Sequence, residues 1–307
     1  MSALPMKMGG QAFLPDLSRR PAGCFGFTKG NNCEKGSQVK LPRIAVGELE
    51  VSRLIVGGNP FSAISHQTAE RDKEMRDYYT TERIKQTLRE CEDAGINTFC
   101  GRADNHVMRL LNEYWNEGGR IQWLAQTAPE RLSLEQNIRQ AARAGAKAIY
   151  IQGGTVDQAM EDALLEELRE PLELIHSLGC VAGIAGHNPE THRTAEEIGL
   201  PTDLHMVCFY NLTGRRGKID VADPSEGYHP DDPAKAAEVI QELPKPCFAY
   251  KVLAAGRRNP REALAYAFEN IKPTDAVVVG VYTKDRPSEV VDNARTVLEL
   301  LGQEVPR

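Results

Sequence analysis

The sequence predicts a single α/β domain built as an eight-stranded parallel barrel, the (β/α)8 or TIM-barrel architecture. Two observations carry the prediction. Eight short apolar runs recur from Leu41 onward, and amphipathic helical stretches separate them. A third observation excludes the main rival. An open doubly wound sheet calls for a G-x-G-x-x-G turn after its first strand, and Gly57-Gly58-Asn59 does not supply one.

The runs are Arg53–Val56, Thr98–Cys100, Gln122–Gln126, Ala148–Gln152, Cys180–Ala185, His205–Phe209, Cys247–Lys251 and Ala276–Gly280. Most are continuously apolar rather than alternating, the pattern of strands covered on both faces. Helices are expected over Thr81–Ala94, Asn105–Trp115, Ser133–Ala144, Pro260–Asn270 and Pro287–Leu301. Thr80 and Ser133 stand where a helix cap belongs, and Pro260 and Pro287 suit a first turn. Gly95, Gly145 and Gly179 each follow a helical stretch, where a left-handed residue ends the helix. Residues 1–40, rich in Gly, Pro, Lys and Ser, predict an irregular arm before a barrel over 41–307. Three connections are expected to be long loops over the working face: Asn59–Thr80, Gly153–Met160 and Leu212–Pro233.

Composition narrows the function classes. Lys and Arg number 37 against 43 Asp and Glu, a net charge of -6, which points away from nucleic acid. A small-molecule substrate suits this mildly acidic chain better. No apolar stretch nears the roughly 18 residues of a membrane span. Leu17-Ser18-Arg19-Arg20 is followed by polar sequence rather than an apolar export segment, so a cytoplasmic location is expected. The seven cysteines are scattered without C-x-x-C spacing, which predicts reduced buried thiols and no metal centre.

In such a barrel, residues just past the strands converge on one mouth. These include Asn59, Cys100, Arg102, Asp104, His106, Gln126, Glu130, Gln152, His187, Asn188, Tyr210, Asn211, Lys251, Thr283 and Lys284. Lys251 ends the apolar Cys-Phe-Ala-Tyr-Lys run, where an ammonium needs a carboxylate, a ligand anion or the open mouth. It is a candidate for anion binding or Schiff-base chemistry, with a structural ion pair as the plainer reading. His187, between Ala185-Gly186 and Asn188-Pro189, is a candidate acid/base or else a histidine bonded to its own loop. His66, His176, His192, His205 and His229 are expected to be surface or packing residues.

Five stretches together resemble the aldo/keto reductase superfamily. Val51–Gly58 is similar to its first strand and Ala94–Phe99 to its second. Tyr210-Asn211-Leu212 is similar to the sixth-strand motif, and Ala249–Gly256 to the family's AYSPLAxG segment. Val281–Asn293 resembles the stretch that grips the cofactor's adenosine end. The resemblance implies a barrel that transfers hydride between NADP or NAD and a carbonyl. It implies that Tyr250 stacks on the nicotinamide and that Lys251 to Gly256 lie beside the pyrophosphate. Gly280, Thr283, Lys284 and Asn293 would then serve the cofactor's far end. At Glu289 the family often carries arginine or glutamine; Lys284 and Arg286 are the candidate substitutes for a 2′-phosphate clamp.

The family's Asp, Tyr, Lys and His tetrad is not matched. Its positions fall on Cys100, Asn105, Gln126 and Gln152. Amides hydrogen-bond an oxygen but do not protonate it at neutral pH. His187, Tyr210 and Lys251 are therefore the candidate proton carriers. Two other readings stay open: a lyase, isomerase or hydrolase using Lys251 and His187, and a binding protein that keeps the pocket without the chemistry.

Overall fold

The computed structural model describes residues 40–130, 132–213 and 228–304. The expected N-terminal arm, apart from Lys40, lies outside the described residues, as do Cys24, Cys33 and the middle of the Leu212–Pro233 connection.

The described chain opens with an antiparallel hairpin, β1 (Arg43–Val46) and β2 (Leu49–Ser52), in which Ile44 pairs with Val51. Gly47 turns it at φ 56°, a conformation that costs glycine nothing. Ile44, Val46 and Val51 pack against Leu124, Ala148, Leu204 and Phe248 at the amino ends of the barrel strands. The hairpin therefore plugs the floor of the barrel. The expected pattern of apolar runs did not include it.

Eight parallel strands follow: β3 (Leu54–Gly57), β4 (Thr98–Arg102), β5 (Gln122–Gln126), β6 (Ala148–Ile151), β7 (Val181–Gly186), β8 (Leu204–Cys208), β9 (Cys247–Tyr250) and β10 (Ala276–Gly280). They close into a barrel in chain order, with β10 beside β3 and Gly280 level with Gly57. The bounds differ from the apolar runs by a residue or two, because runs mark burial and strands mark backbone pairing. Arg53 lies outside the first barrel strand; its guanidinium donates to the carbonyls of Asp275 (2.9 Å) and Lys272 (3.0 Å) and bolts the seam.

The helices are α1 (Ala69–Tyr78), α2 (Thr81–Asp93), α3 (Asn105–Asn116), α4 (Leu134–Arg143), α5 (Gly153–Glu161), α6 (Arg169–Ser177), α7 (Glu190–Glu197), α8 (Asp232–Glu242), α9 (Pro260–Asn270) and α10 (Glu289–Leu300). Thr80 caps α2 and Ser133 caps α4, each accepting a backbone N–H of the first turn. Gly95, Gly145 and Gly179 all take positive φ, ending helices where expected. Helix α10 starts two residues after Pro287, at Glu289.

Two expected loops are helical. Within Asn59–Thr80 lies α1, capped by Thr68 through the Arg71 N–H and burying only Met75. Gly153–Met160 falls within α5, which Gln152 caps by accepting the Thr155 N–H at 3.0 Å. The interior of the barrel alternates along each strand: Ile55, Leu124, Ala148, Leu204, Phe248 and Ala276 pack low, beneath Cys100, Tyr150, Ala185, Met206 and Val278.

Candidate active site

One cavity of about 490 Å³ opens at the carboxyl ends of the strands. That size suits a small-molecule site, whose usual range is roughly 300–1,000 Å³. Among the residues expected to converge, Asn59, Cys100, Arg102, Gln126, Gln152, His187 and Lys251 line it. Asp104, His106, Glu130, Asn188, Tyr210, Asn211, Thr283 and Lys284 do not. Tyr250, Gly256 and Gly280 line it as well.

The floor is built from the three strands β4, β5 and β6. The Tyr150 hydroxyl donates to Gln126 Oε1 at 3.0 Å and stands 3.3 Å from Cys100 Sγ. Burial holds the Tyr150 phenol well above its ordinary range and pushes the Cys100 thiol up to about 12. Both are neutral and neither is poised to move a proton near neutrality. Gln152 has its oxygen committed to the α5 cap. With both Oε1 atoms engaged, each glutamine keeps its NH₂ group to donate to a ligand oxygen.

His187, one residue past β7, carries the arrangement the sequence did not show. Asp157 on α5 is nearly fully buried and holds it twice: Oδ1 accepts the His187 backbone N–H at 3.0 Å, and Oδ2 lies 2.7 Å from Nδ1. Nδ1 therefore carries the proton toward the carboxylate, which fixes the ring's orientation at the cavity wall. Tyr250 meets the imidazole edge to face, with centroids 6.0 Å apart, and its hydroxyl donates to the Gly186 carbonyl at 3.2 Å. Asp157 was missed because its partner is 30 residues away and it sat in an expected loop.

Lys251 leaves β9 at φ 59°, and Ala254, Ala255 and Gly256 are also left-handed. A non-glycine residue there costs on the order of 1–3 kcal/mol, so the surroundings must enforce the bend. They do: Gln67 Nε2 donates to the Ala255 carbonyl at 2.7 Å, and the Arg257 guanidinium to the His66 carbonyl at 3.2 Å. These bonds suture the 251–258 segment to the segment before α1. Among the described residues, the Leu253 and Ala255 amides donate no hydrogen bond. Lys251 also lies near Cys208, whose thiol burial raises to about 11 against the pull of that ammonium.

The remaining expected residues have other partners. Tyr210 is buried, its ring 5.1 Å from that of Tyr228. Thr283 is held at the carboxyl end of α1: its N–H donates to the hydroxyl of Tyr79, just past the helix, at 3.1 Å, and its Oγ1 lies 3.0 Å from the Tyr78 hydroxyl. Lys284 is exposed. Asn293 is buried, and its Nδ2 has no hydrogen-bond partner among the described residues. Gly280 also meets a packing requirement, since a Cβ on it would stand 2.9 Å from Pro60 Cδ. His66, expected at the surface or in packing, lines the cavity, with Nε2 3.1 Å from Asn59 Nδ2.

No family model matches the chain, and no curated protein matches its sequence. Solved structures do match it as folds. A Pseudomonas aeruginosa protein named as an aldo-keto reductase superposes with a TM-score of 0.58 at 18% identity, over 86% of this chain and 98% of that one. An aldo-keto reductase from Bacillus halodurans, solved in its holo form, gives 0.55 at 14% identity over 88% and 92%. A truncated 3-deoxy-D-arabino-heptulosonate 7-phosphate synthase from Thermotoga maritima gives 0.51 at 14% identity over 87% and 95%. The class defined here is the (β/α)8 barrel, and the resemblance to aldo/keto reductases carried by the motifs extends to the fold. The synthase shows that the same architecture serves other chemistry.

Proposed function

We propose that the chain is an oxidoreductase acting on the carbonyl group of a small molecule, dependent on a nicotinamide dinucleotide, with its acid/base role moved from the family's tetrad to His187. The single observation that carries this reading is the doubly held His187–Asp157 pair in a cavity that also runs along the strained Lys251–Gly256 segment.

The residues present fit such a cofactor. Tyr282 lines the cavity, and its buried hydroxyl has no hydrogen-bond partner among the described residues. Buried polar atoms are rarely left so, and a ligand is a ready partner. The 251–256 backbone, with its undonated amides and the Lys251 ammonium, would hold a pyrophosphate. A bound nicotinamide supplies hydride. This chain's own part is the proton: His187 Nε2 gives one to a carbonyl oxygen on reduction and takes it back on oxidation, while Asp157 steadies the imidazolium. The amide NH₂ groups of Gln126 and Gln152 orient that oxygen. Tyr210, away from the cavity, has no part in the proposal. We also place the protein's partner among small molecules rather than nucleic acids or membranes; among the described residues no helix is long and apolar enough to cross a bilayer.

Titration of the protein with reduced nicotinamide dinucleotides, followed by nicotinamide fluorescence, tests the reading. Micromolar binding is expected, weakened by Lys251→Ala and left within about threefold by His187→Ala, which abolishes turnover of an aldehyde panel. No binding of either cofactor would sink it. Lys251 and His187 share the cavity, so Schiff-base chemistry is the second reading; borohydride trapping of a carbonyl substrate on Lys251 would select it.

A further inference from the structure

The far end of the cavity is formed by Tyr282, Asp285, Arg286 and Glu289, which follow β10, and by Arg71 of α1. Its charges are already paired. The Arg71 guanidinium lies over the Tyr282 ring at 4.4 Å and is salt-bridged to Asp285 and, at 2.8 Å, to Glu74. Arg286 faces Glu289 at 4.0 Å and Asp292 at 3.8 Å. Two guanidiniums thus meet four carboxylates. Arg258 and Lys251, the cations of the opposite segment, belong to the 251–258 turn. Lys284, the other candidate for a phosphate clamp, does not line the cavity.

Glu289 is the best-fixed member of this group. It is about nine-tenths buried, and its Oε2 accepts the Tyr282 N–H at 2.6 Å. A phosphate monoester carries roughly -1.5 to -2 charges near neutrality, and here it would meet carboxylates before any unpaired cation. A vicinal diol has the opposite fit. Its hydroxyls donate to carboxylate oxygens, the way acidic residues take a ribose, and its lone pairs can accept from the orphaned Tyr282 hydroxyl.

We infer that this end of the cavity selects an unphosphorylated ribose, so that the cofactor is NADH rather than NADPH, with Glu289 as the selecting residue and Asp285 in support. The inference rests on the reading above, in which a nicotinamide dinucleotide lies along 251–256 and reaches this end with its adenosine.

The test is a pair of equilibrium titrations of the full chain with NADH and with NADPH, read by nicotinamide fluorescence at fixed ionic strength. NADH is expected to bind at least tenfold more tightly. Glu289→Gln keeps an oxygen to accept the Tyr282 N–H while removing the charge, and is expected to narrow the gap at least threefold, mainly by tightening NADPH. Asp285→Asn, at an exposed position, leaves that buried hydrogen bond intact and removes one of the two carboxylates on Arg71; it is expected to move the ratio the same way should Glu289→Gln not fold. Equal or tighter binding of NADPH by the unaltered chain overturns the inference and leaves the cofactor reading standing. A preference for NADH that neither variant narrows removes Glu289 and Asp285 as its source. Binding of neither dinucleotide overturns the cofactor reading and this inference with it.

Discussion

Gly153 lies so close to His187 that a methyl group on it would stand 3.1 Å from the imidazole Cε1 and 3.3 Å from Nδ1. The first residue of α5 thus shapes the space in which the ring sits, while Asp157, one turn on, holds it. Gly153→Ala is expected to leave the fold intact, since a helix start tolerates alanine. The ring must give by a few tenths of an ångström, and turnover is expected to drop about tenfold. Unchanged turnover with an unchanged melting temperature would show that the ring has more freedom than the packing implies.

Asp157→Asn preserves volume but removes the charge that favours the protonated ring. With that charge gone the imidazolium loses its partner, and the acidic limb of the pH–rate profile is expected to move to lower pH. Turnover should fall by roughly 10² or more, and cofactor affinity should hold. The measurement is a histidine NMR titration beside a pH–rate profile. A profile that does not move would reduce Asp157 to a structural role.

Acid stability should be set by a pair of histidines outside the cavity. His192 and His205 place their Nδ1 atoms 3.1 Å apart in a buried site, and His205 Nε2 lies 2.8 Å from Glu196 Oε1. Burial, and then the neighbouring imidazole, holds His192 well below the usual histidine value; burial lowers His205 against the pull of Glu196. The unfolded chain therefore binds these protons first. Stability present above about pH 6.5 is lost as pH falls below it, by up to about 1.4 kcal/mol per unit for each histidine. Burial works against the Glu196 carboxylate, but hydrogen bonds from His205 and Lys245 outweigh it and bring the group to about 2. Its contribution is lost in turn as pH drops from the ordinary carboxylate range toward 2. Urea midpoints should be level from pH 8 to 7 and decline from 6.5 to 5. A level midpoint across that lower span would contradict the buried neutral pair.

Phe248→Ala should cost about 3–5 kcal/mol, the usual result of deleting a fully buried aromatic ring. Phe248 is 1% exposed and packs in the low layer beside Val46 and Leu204, so the loss spreads to the β1–β2 plug. Chemical denaturation measures it. A cost under 1 kcal/mol would mean that the hairpin does not close on this layer.

The barrel was legible because each unit repeats the same physics: a run apolar on both faces, a capped helix, a glycine that ends it. The hairpin was not, since four-residue strands such as Arg43–Val46 alternate too briefly to stand out from a polar lead-in. Helix α1 reads as a loop because its surface is charged nearly all round, with Met75 alone buried. Helix α5 opens on Gly153-Gly154 behind a glutamine cap, neither a common start signal. Of the residues expected at the mouth, seven line the cavity, His187 and Lys251 among them, and eight do not. Asp157 and Tyr150 were not foreseen, because their meaning depends on partners brought together only by closure. Tyr210 follows a strand end like the others, yet its side chain turns to Tyr228, a direction no spacing rule specifies.

The seam at Arg53 joins segments 222 residues apart. Ring closure needs β10, so during synthesis the first strand must wait, with an unpaired edge, for almost the whole chain to emerge. A protein truncated before Ala276 would expose the edges of both β3 and β9. Such edges recruit other strands, so premature termination should yield aggregates rather than a smaller soluble barrel.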